Sequence, residues 1–199
     1  MSIQEIKRHF TTAADEYSSR SSSGLWSMLR SREAAAVSTL LRIPANAKAL
    51  DLGCGSGYYT ELLLQKGAKN VTAVDFVPNM TDNLPTEHVT RICDDVTKMQ
   101  LDEKFDVIVA AGVMEFLPSP EMFLSNARRH AKETTSMVLL VPLKNIFGTV
   151  YRMYHLRHGF NVNLFTPQTL RQAASDSGWQ VEEERKAGLF SLIVRITAK

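Results

Sequence analysis

Three alternate glycines, Gly53, Gly55 and Gly57, limit what this chain can fold into more than any other feature. They follow a short apolar run with one acid, Ala-Leu-Asp-Leu at 49–52, and precede a run with helical spacing at 58–66. This order predicts a strand, a tight turn and a helix. Glycine is needed in such a turn because a β-carbon would collide with a bound ligand or forbid a positive φ. The turn therefore indicates a nucleotide-like ligand that lies against bare main chain.

A second acid stands at the end of the next predicted strand. The apolar run from Val71 to Val74 leads into Asp75, about twenty residues past the glycines, where an acid holds a ribose diol. The dinucleotide fingerprint, G-x-G-x-x-G, requires a third glycine where this chain has Tyr58. The spacing here is G-x-G-x-G, which counts against NAD and FAD.

Four motifs in sequence resemble the core of the class I S-adenosylmethionine-dependent methyltransferases, from Lys48 to Leu143. They are Asp-Leu-Gly-Cys-Gly-Ser-Gly at 51–57, Asp75, Cys-Asp-Asp-Val at 93–96, and the fourth strand with its loop at 105–117. The resemblance is nearest to small-molecule methyltransferases of ubiquinone, menaquinone and magnesium-protoporphyrin biosynthesis. It implies S-adenosylmethionine as cofactor and S-adenosylhomocysteine as product.

The resemblance also assigns cofactor-binding residues. Around the glycine turn these are Asp51, Gly53, Cys54 and Gly55; beyond it they are Asp75, Phe76, Asp95, Val96 and Ala110. The glycines carry the methionine portion and the ribose, and Asp51 orders the loop and receives the amino group directly or through water. Asp75 accepts both ribose hydroxyls and Phe76 packs on the adenine, with core packing as its alternative. Asp95, or alternatively Asp94, takes the adenine amino group.

An N-terminal helix is predicted over residues 2–18 from apolar residues at helical spacing. In the relatives a Phe-x-x-x-Ala-x-x-Tyr opening folds over the cofactor; Phe10, Ala14 and Tyr17 fit it loosely. Arg20 is then placed to meet the cofactor carboxylate. The relatives often carry Glu-His after the fourth strand where this chain has Glu115-Phe116, so the role of that histidine does not transfer.

An aromatic and basic segment at 145–165 is predicted to cover the carboxyl ends of the strands as a substrate lid. If it is helical, Phe147, Val150, Tyr151 and Tyr154 share a face, and Arg152 and His155 lie off it. Substrate contacts are assigned to Tyr151, Arg152 and Tyr154, and His155 or His158 is the candidate base. Arg152 or Arg157 is the candidate anion clamp. The alternative is a capping helix with a solvated basic face.

The predicted fold is α/β: a doubly wound, mostly parallel seven-stranded sheet with a C-terminal antiparallel hairpin and an N-terminal helical extension. The predicted strands are 48–53, 70–75, 89–94, 105–111, 136–142, 179–187 and 190–198. The predicted helices are 2–18, 25–41, 58–66, 119–132 and one from Thr166 to Gly178. All belong to a single domain, 1–199, with lid helices at 1–45, a cofactor core at 46–143, a substrate lid at 144–165 and a C-terminal part at 166–199.

Composition excludes few functions. With 44% hydrophobic and 22% charged residues the chain is typical of one globular domain, and a net charge of +2 does not call for nucleic acid. No apolar run has membrane length, the N-terminus lacks a signal-peptide pattern, and two cysteines suggest a reducing, cytoplasmic compartment. The His, Cys and Asp spacing fits no metal site. His130, beside two arginines, is expected at the surface.

The expected substrate is a small organic molecule, with methylation at oxygen or carbon favoured. Methylation of DNA bases at nitrogen commonly uses Asn/Asp-Pro-Pro-Tyr after the fourth strand, where this chain has the small apolar run Ala-Ala-Gly-Val at 110–113. One alternative is a nucleic-acid or protein methyltransferase that uses Lys144, Arg152 and Arg157 as contacts. The other is a module that binds the cofactor without catalysis.

Overall fold

The structure, a computed structural model, describes residues 25–78, 84 and 87–199, without the side chains of 25–30. The predicted helix over 2–18, with Tyr17 and Arg20, lies outside the described residues. Within them the chain forms a seven-stranded sheet with five α-helices.

The strands are β1 (Lys48–Leu52), β2 (Asn70–Asp75), β3 (Val89–Cys93), β4 (Phe105–Ala111), β5 (Ala131–Pro142), β6 (Trp179–Ala187) and β7 (Ser191–Ala198). The helices are α1 (Leu25–Leu40), α2 (Tyr58–Gln65), α3 (Pro120–Arg129), α4 (Ile146–Arg157) and α5 (Pro167–Asp176), with a 3₁₀ turn at Met114–Phe116. The order across the sheet is β3-β2-β1-β4-β5-β7-β6, parallel from β3 to β5. β7 is antiparallel to both neighbours. The predicted fold class is confirmed.

The connections reverse direction between β1 and β4. β1 leads outward to β2 and β3 on one side, and β4 leads to β5 on the other. Asp51 pairs with Ala73 of β2 and with Val109 of β4, so β1 stands at the switch point. In open α/β sheets the crevice outside the carboxyl ends at this point binds ligands.

The core lies on both faces of the sheet. Successive residues of β1 alternate between the two layers: Ala49 packs with α1 and α2, and Leu50 packs in the layer that contains α3 and α5. The second layer is anchored by Trp179, which is fully buried and donates its indole N–H to the Leu124 carbonyl at 2.9 Å. The carboxyl ends of the strands, where the crevice lies, are therefore supported by core packing on both faces of the sheet.

The start of β5 was predicted wrongly. The helix before it ends at Arg129, short of the predicted 132, and the strand begins at Ala131, before the predicted 136. Polar residues extend the strand through tertiary contacts: the Thr135 hydroxyl donates to the Phe105 carbonyl at 2.5 Å, and the Lys132 ammonium lies 2.6 Å from Asp106 Oδ1.

His130 is buried, so its expected surface position was also wrong. Its Nε2 accepts the Leu101 amide N–H at 3.0 Å, and its Nδ1 lies 2.9 Å from the Asn126 carbonyl. An imidazole in this arrangement donates from Nδ1 and ties α3 to the loop before β4. Its role is structural.

Candidate active site

The glycine turn lies between β1 and α2, and all three of its glycines have positive φ. A β-carbon on Gly53 would come within 2.6 Å of the Val113 side chain, and one on Gly57 would overlap Leu84. A β-carbon on Gly55, in contrast, would meet no heavy atom within 4 Å. Gly53 and Gly57 are therefore required by packing, whereas Gly55 faces open space that a ligand can fill.

Asp51 lies beneath this turn. It is buried, and its Oδ2 accepts the Thr60 hydroxyl of α2 at 2.6 Å. Burial raises the pKa of Asp51 to about 7, with the charge of Asp75 as a smaller cause and the Thr60 hydrogen bond acting against it. The carboxyl thus joins the turn to the first turn of α2, and a cationic ligand group beside it would favour its ionised form.

Asp75 is the last residue of β2, and main-chain N–H groups orient both of its carboxylate oxygens. Oδ2 accepts the Gly55 N–H at 2.9 Å, and Oδ1 accepts the Val77 N–H at 3.0 Å. Burial raises its pKa, while these backbone hydrogen bonds act in the opposite direction. The Phe76 N–H also acts on the carboxylate, which has about four lone-pair sites and so can still accept a ligand hydroxyl. Phe76, the next residue, is half-buried.

Cys54 sits inside the turn as a buried thiol. Its N–H donates to the Val74 carbonyl at 3.1 Å, and burial raises the pKa of the thiol. It packs with Ala73 and Leu84. A neutral thiol in this position fills space and orients the main chain, and is not a nucleophile.

Asp95 follows β3. Its Oδ1 accepts the Thr97 N–H at 2.9 Å and the Thr97 hydroxyl at 2.7 Å, whereas its buried Oδ2 has no hydrogen-bond partner among the described residues. The Lys98 ammonium lies 3.5 Å from Oδ2. Asp94 is exposed. Of the two acids, Asp95 is therefore the one with an enclosed acceptor atom left for a ligand amino group.

Val96 and Ala110 are enclosed in the core, in the same buried layer as Leu52 and Val74. Any contact of Val96 with a ligand is left to its main chain. At the end of β4 it is Ala111 and Gly112 that are partly exposed. The open end of β4 therefore lies one or two residues beyond Ala110.

The lid segment forms α4, capped by the Asn145 side chain, which accepts the Gly148 N–H at 2.8 Å. The segment is helical, and on the predicted shared face Phe147, Val150 and Tyr154 are exposed. Tyr151 and His155 instead turn inward, their rings 4.4 Å apart. Sequence spacing missed this face because it depends on aromatic partners from other elements.

Two aromatic residues of other segments pack against the inner face of α4. The ring of Phe116, in the 3₁₀ turn after β4, lies 5.5 Å from His155, and the ring of Phe190 stacks on Tyr151 at 5.6 Å. His158 is exposed, with Nδ1 2.8 Å from the Tyr154 carbonyl, and Arg152 is half-buried. The structure thus brings His155 to the 3₁₀ turn but leaves His158 and Tyr154 on the outer surface.

Glu115, in the same 3₁₀ turn, is an acid to which the sequence motifs assigned no role. It is buried, and among the described residues its Oε2 is without a hydrogen-bond partner. Burial raises its pKa to about 8. The signal in the sequence was a single acid in the apolar run Val-Met-Glu-Phe-Leu at 113–117.

The residues present fit an extended ligand that carries a diol, an amino group and a base. Gly55 leaves open space over its main chain, the Asp75 carboxylate lies beside it, and Asp95 has an enclosed oxygen to which no described residue donates a hydrogen bond. Over residues 25–78, 84 and 87–199 there is no group of three His, Cys, Asp or Glu side chains that could hold a metal, and no helix is long and apolar enough to cross a membrane.

Comparisons with known proteins give independent evidence on the family of the chain. A family model described as a methyltransferase domain matches residues 25–184. The malonyl-[acyl-carrier protein] O-methyltransferase of Bacillus cereus is 35% identical over 91 residues, 43% of this chain and 34% of that protein. The ubiquinone biosynthesis O-methyltransferase of Coxiella burnetii is 25% identical over 120 residues, 57% of this chain and 51% of that protein. The chain thus spans about a third to a half of the length of these curated relatives.

Among solved structures, the fold is similar to magnesium protoporphyrin IX methyltransferase from Synechocystis PCC 6803, crystallised with bound SAH. The TM-score is 0.78 with 100% of both chains covered, at 16% identity. At this identity the likeness concerns the fold alone.

Proposed function

Since the chain belongs to the methyltransferase-domain family, we propose that it transfers a methyl group from S-adenosylmethionine to a small organic acceptor, at oxygen in preference to carbon. The observation that carries the proposal is the contact between Gly55 and Asp75. Open main chain and a carboxylate stand side by side, joined by a 2.9 Å hydrogen bond. A nucleoside whose sugar lies on the turn would contact both the open main chain of Gly55 and the Asp75 carboxylate.

Each cofactor group has a candidate partner. Asp75 accepts the ribose hydroxyls, Phe76 packs against the adenine, and Asp95 accepts the adenine amino group through Oδ2. The methionine portion lies on Gly53 and Gly55, near Asp51, whose ionised form its ammonium group would favour. Tyr17 and Arg20 remain proposed contacts of the N-terminal segment.

S-adenosylmethionine supplies a methyl group activated by its positive sulfonium. The protein's own contribution is mainly alignment, because holding the acceptor in line with the methyl group removes several kcal/mol of entropic cost. Alignment requires a rigid support. Gly53 and Cys54 both donate their N–H groups to the Val74 carbonyl, at 2.8 and 3.1 Å, so the glycine turn is fixed to β2.

The acceptor lies under α4 in this proposal. Tyr151 and His155 form the inner face of α4 and pack against Phe116 and Phe190. Arg152 lies at the margin of that face. An aromatic lining of this kind favours an organic acceptor. The two relatives above are both named as O-methyltransferases, which supports oxygen.

Labelling tests the substrate class. Methyl-labelled S-adenosylmethionine is supplied, with and without the protein, to a cell extract that is then split into metabolite, nucleic-acid and protein fractions. We expect protein-dependent label in the metabolites, lost with Asp75→Ala and retained with Asp102→Ala, a change in an exposed loop. Label in nucleic acid or protein would replace the proposed acceptor class. A protein that binds S-adenosylmethionine but labels no fraction would be a binding module.

A further inference from the structure

Glu115 is a buried carboxyl just beyond the carboxyl end of β4. β4 ends at Ala111, and the 3₁₀ turn Met114–Phe116 folds the chain back over that end. Oε1 of Glu115 lies 3.8 Å from where a β-carbon on Gly112 would stand, so the carboxyl rests against the main chain at the carboxyl edge of the sheet. The Glu115 carbonyl accepts the Asn163 N–H at 2.8 Å, which fixes the turn.

A second acid faces it from α1. Glu33 is near enough for its negative charge to raise the pKa of Glu115, and it accepts a hydrogen bond from the Ser191 hydroxyl at the start of β7. From α4, His155 reaches the same turn through its contact with Phe116. The Glu115 carboxyl thus has the charge of Glu33 nearby, and the next residue of its turn, Phe116, packs against the His155 imidazole.

We infer that Glu115 receives the proton of the acceptor through its unpartnered Oε2, and that the acceptor is therefore a hydroxyl compound and not a carboxylate. The inference deepens the proposed function and rests on it. A buried polar atom with no partner costs about 1–3 kcal/mol, so a bound hydroxyl that donates to Oε2 supplies a hydrogen bond that the described residues do not make.

The bonds and charges of the step balance. The acceptor oxygen bonds to the methyl carbon as the carbon–sulfur bond breaks, and its O–H proton passes to Glu115. The positive sulfonium and the negative carboxylate are both neutralised, leaving a thioether, a methyl ether and a carboxylic acid. No further oxidant, reductant or metal is required.

Burial and the negative charge of Glu33 raise the pKa of Glu115 into the range that suits a general base. A pKa of about 8 lies close to neutral pH, where a general base combines proton affinity with availability. The positive sulfonium would favour the ionised carboxylate, so that binding of the methyl donor prepares the base. A carboxylate acceptor arrives ionised, needs no base, and would be repelled by Glu115 and Glu33.

Proton release on binding tests the position of Glu115 without turnover. Calorimetry at pH 7.5 in buffers of different ionisation enthalpy counts the protons released by S-adenosylmethionine and by S-adenosylhomocysteine. Both share the groups near Asp51 and Asp75, but only the first carries the sulfonium. We expect wild type to release roughly 0.7 more proton with S-adenosylmethionine, from a carboxyl of pKa about 8. Glu115→Gln should abolish that difference, and the exposed control Glu87→Gln should keep it.

The outcomes separate this inference from the proposed function. An equal release in wild type and Glu115→Gln overturns the role of Glu115 while leaving methyl transfer in place. Failure of wild type to bind S-adenosylmethionine overturns the proposed function and the inference with it. In single turnover on the labelled metabolite fraction at saturating S-adenosylmethionine, Glu115→Gln should be slower by roughly 100-fold or more, with the Kd of S-adenosylhomocysteine, which lacks the sulfonium, changed less than about threefold. A labelled product that is a methyl ester would also overturn the inference.

Discussion

At the scale of single residues, the site depends on side chains that are already held by the main chain. Asp75 accepts N–H groups from Gly55 and Val77 and so has a fixed orientation before any ligand arrives. Preorganisation of this kind lowers the cost of ordering on binding. Asp95 is held in the same way by Thr97. The candidate cofactor contacts are therefore rigid acceptors and not flexible surface acids.

Asp75→Ala should weaken S-adenosylmethionine binding by roughly 2–4 kcal/mol. The substitution removes the partner of the ribose hydroxyls and leaves the N–H groups of Gly55 and Val77 without their acceptor. Isothermal titration calorimetry measures the effect, and circular dichroism verifies that the sheet is intact. The control Asp102→Ala, in an exposed loop, should bind as wild type does. An unchanged Kd for Asp75→Ala would mean that the ribose lies elsewhere.

At the scale of elements, local signals located the site and tertiary contacts completed it. The glycine turn and Asp75 could be predicted because each depends on residues adjacent in sequence. The start of β5 could not, because Thr135 joins the strand through the Phe105 carbonyl, 30 positions away. The inner face of α4 was missed for a similar reason, since His155 is turned inward by Phe116 of another element.

α4 offers a test of the lid at its first turn. A β-carbon on Gly148 would collide with the Leu143 carbonyl, so Gly148→Ala should displace the start of the helix and destabilise the protein by about 1–3 kcal/mol. Methyl transfer should fall further than cofactor binding, because the glycine turn lies on the other side of β4. Thermal unfolding and cofactor Kd are measured together, with the exposed Val150→Ala as control. Equal losses of binding and transfer would argue against a substrate lid.

At the scale of the whole molecule, the doubly wound sheet gathers acids at one edge. The family and the fold class were predictable from motif order, and both are confirmed. The assignment of roles to single residues and the subdivision of the chain remain predictions. Glu115 was overlooked because its neighbours are distant in sequence: Glu33 of α1 acts on its charge, and His155 of α4 packs on the next residue, Phe116. Burial raises the pKa values of Glu115 and Asp51, as it also does for Asp75.

These raised pKa values fix the sign of the pH dependence of stability. Between the ordinary carboxyl value of 4.5 and about 8, the unfolded chain has Glu115 ionised while the folded chain keeps its proton. The folded state then binds more protons, so the free energy of unfolding decreases as pH rises through this window. Asp51 acts in the same direction between 3.8 and about 7. We expect wild type to be more stable at pH 5.5 than at pH 8.5 in chemical denaturation.

Glu115→Gln isolates the larger contribution. The amide keeps the size of the side chain and does not ionise, so the variant should lose about 3 kcal/mol less than wild type between pH 5.5 and 8.5. Glu87→Gln should follow the wild-type curve, since Glu87 is exposed. Parallel curves for Glu115→Gln and wild type would mean that Glu115 is ionised throughout the range. The Glu115 side chain would then contact solvent or a cation, and it would not be enclosed at the end of β4 in solution.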